Sequence, residues 1–334
     1  MESVHFVSLL LVIVITMVPV QYCLPFPLQP NSTYDPDLEF INYLHRTHDS
    51  NELFEEQPPF EFSKLTVDKT LSTQTSNITV FSYREGDKFG PSNWGALSAS
   101  CEGIYQSPVS IVTNRSLIVR RKRALDLVGL QHRPRTMQVL NEGGSGAFFP
   151  EYNPRTRPRL RGGPLKVDYL FYQFHYHLES EHTLDGQRSA AEVHLVFHSS
   201  LYETFQDARD QVEGVAVIAL TYDVLQGSRI ESLNKWTLYL DKVTEVGSKY
   251  RIPPYGLFTL ADVTGDVDWP YFYYEGSLTT PPCSETVLWI VASERMMLSR
   301  GELRKMRQLE GRGGELMPNS RPIQAVNQRR IFLY

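Results

Sequence analysis

With 334 residues, 41% of them hydrophobic and 21% charged, the chain is too apolar for a disordered protein and too interrupted for a membrane protein with many spans. Its 33 basic and 38 acidic side chains leave a formal net charge of -5, which gives no electrostatic reason to expect nucleic acid or anionic lipid as the main partner. The 12% of aromatic residues, mostly Tyr and Phe with only 4 Trp, favour a β-rich core, because flat rings pack well on pleated surfaces.

The first feature along the chain is an apolar stretch from Phe6 to Val20, broken only by Ser8, Thr16 and Pro19. It is shorter than the roughly 20 residues needed to cross a bilayer and suits the core of a signal peptide. Residues 1-23 are therefore read as a signal peptide and the protein as secreted, with retention through an uncleaved segment as the alternative. Residues 24-78 hold Pro25, Pro27, Pro30, Pro36, Pro58 and Pro59 among polar and acidic residues without sustained periodicity. They are expected to be a low-complexity, disordered extension with at most a short helix near Leu38 to Leu44. Asn31, Asn77 and Asn114 begin glycosylation triplets, usable only in the secretory pathway. Leu117 to Val128 reads as a strand, and Arg120-Arg121-Lys122-Arg123 within it as a solvated face rather than a processing site. Cys23, Cys101 and Cys283 are the only cysteines. Removal of the signal leaves two, which either pair across most of the folded domain or remain buried thiols. The chain ends at Ile331-Phe-Leu-Tyr334 without an apolar tail, which argues against a C-terminal membrane anchor.

Four of the nine histidines fall between His175 and His194. Side chains alternate faces on a strand, so Gln173, His175 and His177 point one way and Phe174 and Tyr176 the other. Glu192, His194 and Val196 share a face of a second strand-like segment. Antiparallel pairing of the two would bring three imidazoles together. Three neutral imidazoles favour zinc and leave a fourth tetrahedral position open, the pattern of a catalytic site. Gln173 and Glu192 each lie two residues before a candidate ligand and are placed to take its second nitrogen. The competing reading is that these histidines only pack on an apolar sheet. His182 and His198 fall outside the pattern and are read as structural.

The sequence resembles the alpha-class carbonic anhydrases from about Phe81 to Arg330. The resemblance rests on Gly90-Pro-Ser-Asn-Trp94, Gln106-Ser-Pro-Val-Ser-Ile111, Gly162-Gly-Pro-Leu165, the histidine segment, Ser277-Leu-Thr-Thr-Pro-Pro-Cys283 and Thr286-Val-Leu-Trp-Ile290. It implies a single α+β, mainly β domain over 79-334, built on a large twisted, mostly antiparallel ten-stranded sheet with short peripheral helices. It implies zinc held by His175, His177 and His194, and reversible hydration of carbon dioxide to bicarbonate and a proton, with sensitivity to sulfonamides. Thr279 would orient the attacking oxygen and hand its hydroxyl hydrogen to Glu181. Thr280 would line the cleft, and Val196, Val215, Val217, Leu278, Val287 and Trp289 would form its apolar wall. Tyr83, Trp94 and Asn319 match supporting positions. By the same resemblance Cys101 and Cys283 form the bridge of the secreted members.

Two departures stand out. Gly144 occupies the position where the fastest relatives carry a histidine proton shuttle, and glycine has no titratable atom. Nearby Glu142 is too acidic to relay protons efficiently unless its pKa is raised. Leu178-Glu179-Ser180 replaces a longer loop, which could disturb Glu181 or the metal geometry, and the glycine-rich turn from Gly143 to Gly146 could make one cleft wall mobile. An active zinc lyase with inefficient proton transfer is the favoured reading. Its rival is a catalytically weak or silent extracellular binding or matrix module. A zinc hydrolase with a helical His-Glu-x-x-His motif is disfavoured by the spacing of two ligands on one strand.

Overall fold

The computed structural model describes residues 81–120, 123–226, 233–265, 268–312 and 319–334. The expected signal peptide, the extension with its short helix, Cys23, Asn31, Asn77, Arg121 and Lys122 lie outside the described residues. The main sheet is built on β1 (Leu117–Ile118), β2 (Thr136–Asn141), β3 (Gly146–Glu151), β4 (Tyr169–Leu178), β5 (Ala191–Ser199), β6 (Val215–Val224), β7 (Lys249–Arg251), β8 (Tyr271–Gly276), β9 (Val287–Ala292) and β10 (Phe332–Leu333). In space they run β7, β2, β3, β4, β5, β6, β9, β8, β10, β1. Leu125–Val128, Arg159–Gly162 and Met296–Leu298 attach beside this path and bring the sheet to 13 strands. The expected ten strands are thus the continuous path, and side strands extend it. Pairing is antiparallel except between β6 and β9, β6 and Met296–Leu298, and β10 and β1.

The central strands are long apolar runs because both of their faces are covered. Val193, Leu195, Ile218, Leu220 and Ile290 enter one large core, while Val196, Val215, Val217, Val287 and Trp289 enter a smaller cluster. Successive residues therefore alternate between two buried environments, which erases the usual apolar-polar alternation. Burying a large aliphatic or aromatic side chain contributes about 1.5–3 kcal/mol, so this double-sided packing is the main source of stability.

A register shift where β4 meets β5 between Val196 and Phe197 pairs Val196 with Gln173 and Phe197 with Phe171. Tyr172 is the extra residue of a bulge. The bulge lets Phe171 and Phe174 both join the large core although they are three residues apart. It also returns Gln173, His175 and His177 to the opposite face.

The strand expected over Leu117 to Val128 is instead two short strands. Leu117–Ile118 pairs with β10, and Leu125–Val128 pairs with Arg159–Gly162. Arg120 and Arg123 are exposed. A charged run does not suit a continuous ladder covered on both faces, and the chain changes partners across it. No helix among the described residues is long and apolar enough to cross a membrane.

Candidate metal centre

β5 runs antiparallel to β4 with His194 directly opposite His175 and Glu192 opposite His177. This register converts the two-residue spacing on β4 into a triangle of imidazoles. Ring centroids of His175, His177 and His194 lie 4.5–5.2 Å apart, and one nitrogen from each ring falls within 4.8 Å of the others.

Each ring is held by one nitrogen only. His175 Nδ1 meets Gln173 Oε1 at 3.1 Å, His177 Nδ1 meets the Asn319 carbonyl at 2.8 Å, and His194 Nε2 meets Glu192 Oε1 at 2.7 Å. Because these partners are oxygen acceptors, each pinned nitrogen is the N–H and the lone pair is left on the other one. His177 Nε2 is buried with no hydrogen-bond partner at all, an arrangement costly for a polar atom unless a ligand completes it. Burial, with the neighbouring His177 and His194, holds the His175 pKa well below the usual imidazole value, and burial with His177 lowers that of His194. Three imidazoles with one free nitrogen each, all within 4.8 Å of one another, fit a zinc ion.

A second grouping, His182, Glu192 and His194, has different chemistry. His182 Nδ1 donates to Glu192 Oε1, and its Nε2 pairs with the Tyr274 hydroxyl, both at 2.7 Å. Its nitrogens are occupied, so it buttresses Glu192. His198, in contact with Arg157 Nη2 at 2.9 Å, is likewise structural.

His175 and His177 of the triad open onto a cleft of about 340 Å³ whose lining also includes Gln173, Val196, Leu278 and Thr280. Tyr83, Glu142 and Gly144 line it as well. Val215, Val217, Val287 and Trp289 do not. They are buried with Val196 in the smaller core, against which Leu278 packs and where the Trp289 ring lies 4.9 Å from that of His194. The alternation of β6 and β9 places them on the same face of the sheet as the triad. Phe205, Arg209 and Arg312 also line the cleft and carry no motif that would mark them in sequence.

Residues 89–334 match the sequence pattern of the eukaryotic-type carbonic anhydrase family. Carbonic anhydrase 3 from Homo sapiens, Rattus norvegicus and Mus musculus is in each case 30% identical over 256 residues, covering 72% of this chain and 94% of the relative. The chain belongs to the eukaryotic-type carbonic anhydrases.

In this carbonic anhydrase of the alpha class the chain turns at once after β4, with Glu179 in the left-handed region at φ 60°. Ser180 Oγ accepts from Ser189 N–H and donates to the His182 carbonyl. Glu181 remains fully buried beside the triad, with Oε1 at 3.6 Å from His177 Nδ1. That oxygen accepts the Arg321 backbone N–H at 2.9 Å, while Oε2 is buried without a hydrogen-bond partner, 3.9 Å from His194 Nε2. Thr279 is buried, but no hydrogen bond joins it to Glu181 among the described residues.

Arg321 reaches from the far end of the chain to Gln106, Ser107 and Cys101, and lies 5.3 Å over the Trp94 ring. Burial lowers its pKa to about 10, so it remains a cation at neutral pH. Asn319 completes the same support by taking the Leu178 N–H on Oδ1 and donating Nδ2 to the Gly144 carbonyl. The Cys101–Cys283 disulfide is formed and packs with Trp94 against Phe81 and Tyr83. Asn114 is exposed on a short turn before β1.

Proposed function

We propose that this chain catalyses the reversible, zinc-dependent hydration of carbon dioxide to bicarbonate and a proton. The observation that carries the reading is the set of three converging imidazole lone pairs, each fixed by an acceptor on its other nitrogen, with His177 Nε2 left buried and unpartnered. Zinc bound by His175, His177 and His194 would supply a Lewis acid that makes water a nucleophile near neutral pH. Gln173, Glu192 and the Asn319 carbonyl hold the ligand rings in the tautomer that coordination requires. Val196 and Leu278 offer apolar surface to carbon dioxide, which has no net dipole. Thr280 offers a hydroxyl to bicarbonate or to a sulfonamide. Glu181 Oε2 is the free acceptor for a hydroxyl hydrogen, and Thr279 is the residue assigned to donate it and so to orient the attacking oxygen.

Proton export is the slow part of this reading. Gly144 brings no titratable group to the cleft. Burial raises the pKa of its neighbour Glu142, a carboxyl that also lines the cleft, but with no imidazole there the released proton is handed chiefly to buffer. Stopped-flow hydration by the zinc-loaded protein, with imidazole varied and a sulfonamide control, tests both halves. Sulfonamide-sensitive activity that rises with imidazole is expected. Equal rates at low and high imidazole would remove the export limit, and inactivity with one bound zinc would favour the binding-module reading.

We further propose that the protein is secreted, with residues 1-23 as its signal, residues 24-78 as an extension and the catalytic domain over 79-334. The disulfide supports an oxidising compartment, where exposed Asn114 would be open to glycosylation. Mass spectrometry of mature material, before and after glycan removal, reads the cleavage point and the glycans together.

A further inference from the structure

The glycine-rich turn does more than lack a shuttle. Arg312 lies across it. The Arg312 N–H donates to the Gly143 carbonyl and Nη2 to the Glu142 carbonyl, each at 3.0 Å. A Cβ on Gly143 would come within 2.6 Å of Arg312 Cγ, so the bare glycine is what lets the arginine stem pass. The guanidinium carbon stands 5.5 Å over the Phe81 ring. Backbone, ring and turn together hold this cation at the wall of the cleft that contains His175 and His177.

The other arginine of the cleft is spent elsewhere. Arg209 binds Asp210 through Nη2 at 2.9 Å, and Asp210 is itself held by Ser284. Arg312 makes no ion pair among the described residues, and its one side-chain hydrogen bond goes to a neutral carbonyl. It therefore keeps N–H donors in the fork geometry that matches a carboxylate. The same cleft is lined by Phe81, Leu278, Pro281 and Pro282, surfaces that suit a flat apolar body. A cleft of about 340 Å³ is at the small end of the range that encloses organic ligands.

We infer that the cleft is a binding site for small organic carboxylates with an aromatic or apolar body, and that Arg312 is the residue that recognises the carboxylate. The inference deepens the proposed function by naming a ligand class for the same site. Glu142 also lines the cleft and feels the Arg312 charge, so its carboxyl is the internal competitor that an incoming carboxylate must displace.

The test uses the full mature chain with two probes and two variants, Arg312→Gln and Arg312→Lys. The first probe is 4-carboxybenzenesulfonamide, compared with benzenesulfonamide by calorimetry on zinc-loaded protein. The wild type is expected to prefer the carboxylated probe about tenfold, the scale of one charge-assisted pair. Arg312→Gln should erase that preference, read as the ratio of the two affinities within each variant, and Arg312→Lys should keep part of it. No preference in the wild type, or a preference that survives in Arg312→Gln, overturns the inference.

The second probe is benzoate, titrated by NMR against metal-free protein, an arm that does not depend on the zinc reading. Saturable binding lost in Arg312→Gln supports the inference, whereas no binding, or equal binding in both, overturns it. Failure of benzenesulfonamide to bind would count against zinc at the triad and leave the carboxylate site to be decided by benzoate.

Discussion

Gly143 and Gly144 are neighbours with opposite tolerances for a side chain. At Gly144 an added Cβ would meet only Tyr83 Cε2, at 3.7 Å, an ordinary contact. At Gly143 the backbone is left-handed, φ 75°, and a Cβ would clash with Arg312 and Val246. Gly144→His is therefore expected to fold and, by placing an imidazole on the cleft wall, to raise carbon dioxide turnover in weak buffer several-fold while flattening its imidazole dependence. Unchanged buffer dependence in a correctly folded Gly144→His would refute the assignment of that position. Gly143→Ala should lose more than about 1 kcal/mol in urea unfolding, since alanine there adds both strain and overlap.

The histidines also set a pH dependence. Folded His175 and His194 refuse protons that their unfolded counterparts accept below about pH 6.5, because burial and their neighbours lower both pKa values. The unfolded state thus binds more protons, and metal-free protein should lose stability as pH falls from there towards the folded pKa values. Glu192, whose burial is outweighed by His182 and His194, has a pKa well below the carboxylate norm. It extends the loss in the same direction at lower pH. A melting temperature of the metal-free protein that stays flat from about pH 7 to about pH 5 would contradict this account.

Among the elements, β4 and β5 carry most of the consequences. Their shared ladder places three ligands on one face and Phe174, Tyr176, Val193 and Leu195 in the core on the other. Leu195 is completely buried, and Leu195→Ala should cost about 2–5 kcal/mol by chemical denaturation. Ile118, on the edge strand β1 and 73% exposed, is the matching control, with Ile118→Thr expected to stay within about 0.5 kcal/mol. A small loss at Leu195 would mean that the doubly covered sheet is not the main source of stability. Sequence periodicity located both ligand strands, because two-residue alternation is a local property. It did not show the bulge at Tyr172, since Tyr-Gln-Phe reads equally well as regular alternation until β5 fixes the register.

For the molecule as a whole, the Cys101–Cys283 bridge joins positions 182 residues apart and fastens the segment bearing Thr280 to the layer around Trp94. Replacing both cysteines by serine should lower stability by about 2–5 kcal/mol. Equal denaturation midpoints for the double variant and the wild type would show the bridge to be dispensable. The buried Arg321 couples the same region to Glu181, so this loss should be accompanied by weaker zinc retention, measurable by competition with a chelator.

What the sequence determined by itself is the histidine pattern, with its Gln173 and Glu192 supports and a glycine, with no titratable atom, at position 144. These depend on alternation along one or two strands, or on a single residue type at one position. The tertiary structure alone decided that Asn319 pins His177, that Arg321 holds Glu181, that Val215, Val217, Val287 and Trp289 share one buried cluster with Val196, and that Arg312 lines the cleft. Each of these is a contact between segments far apart in the chain, and such contacts leave no periodic trace because their geometry is set by how the sheet curves and which strands lie side by side.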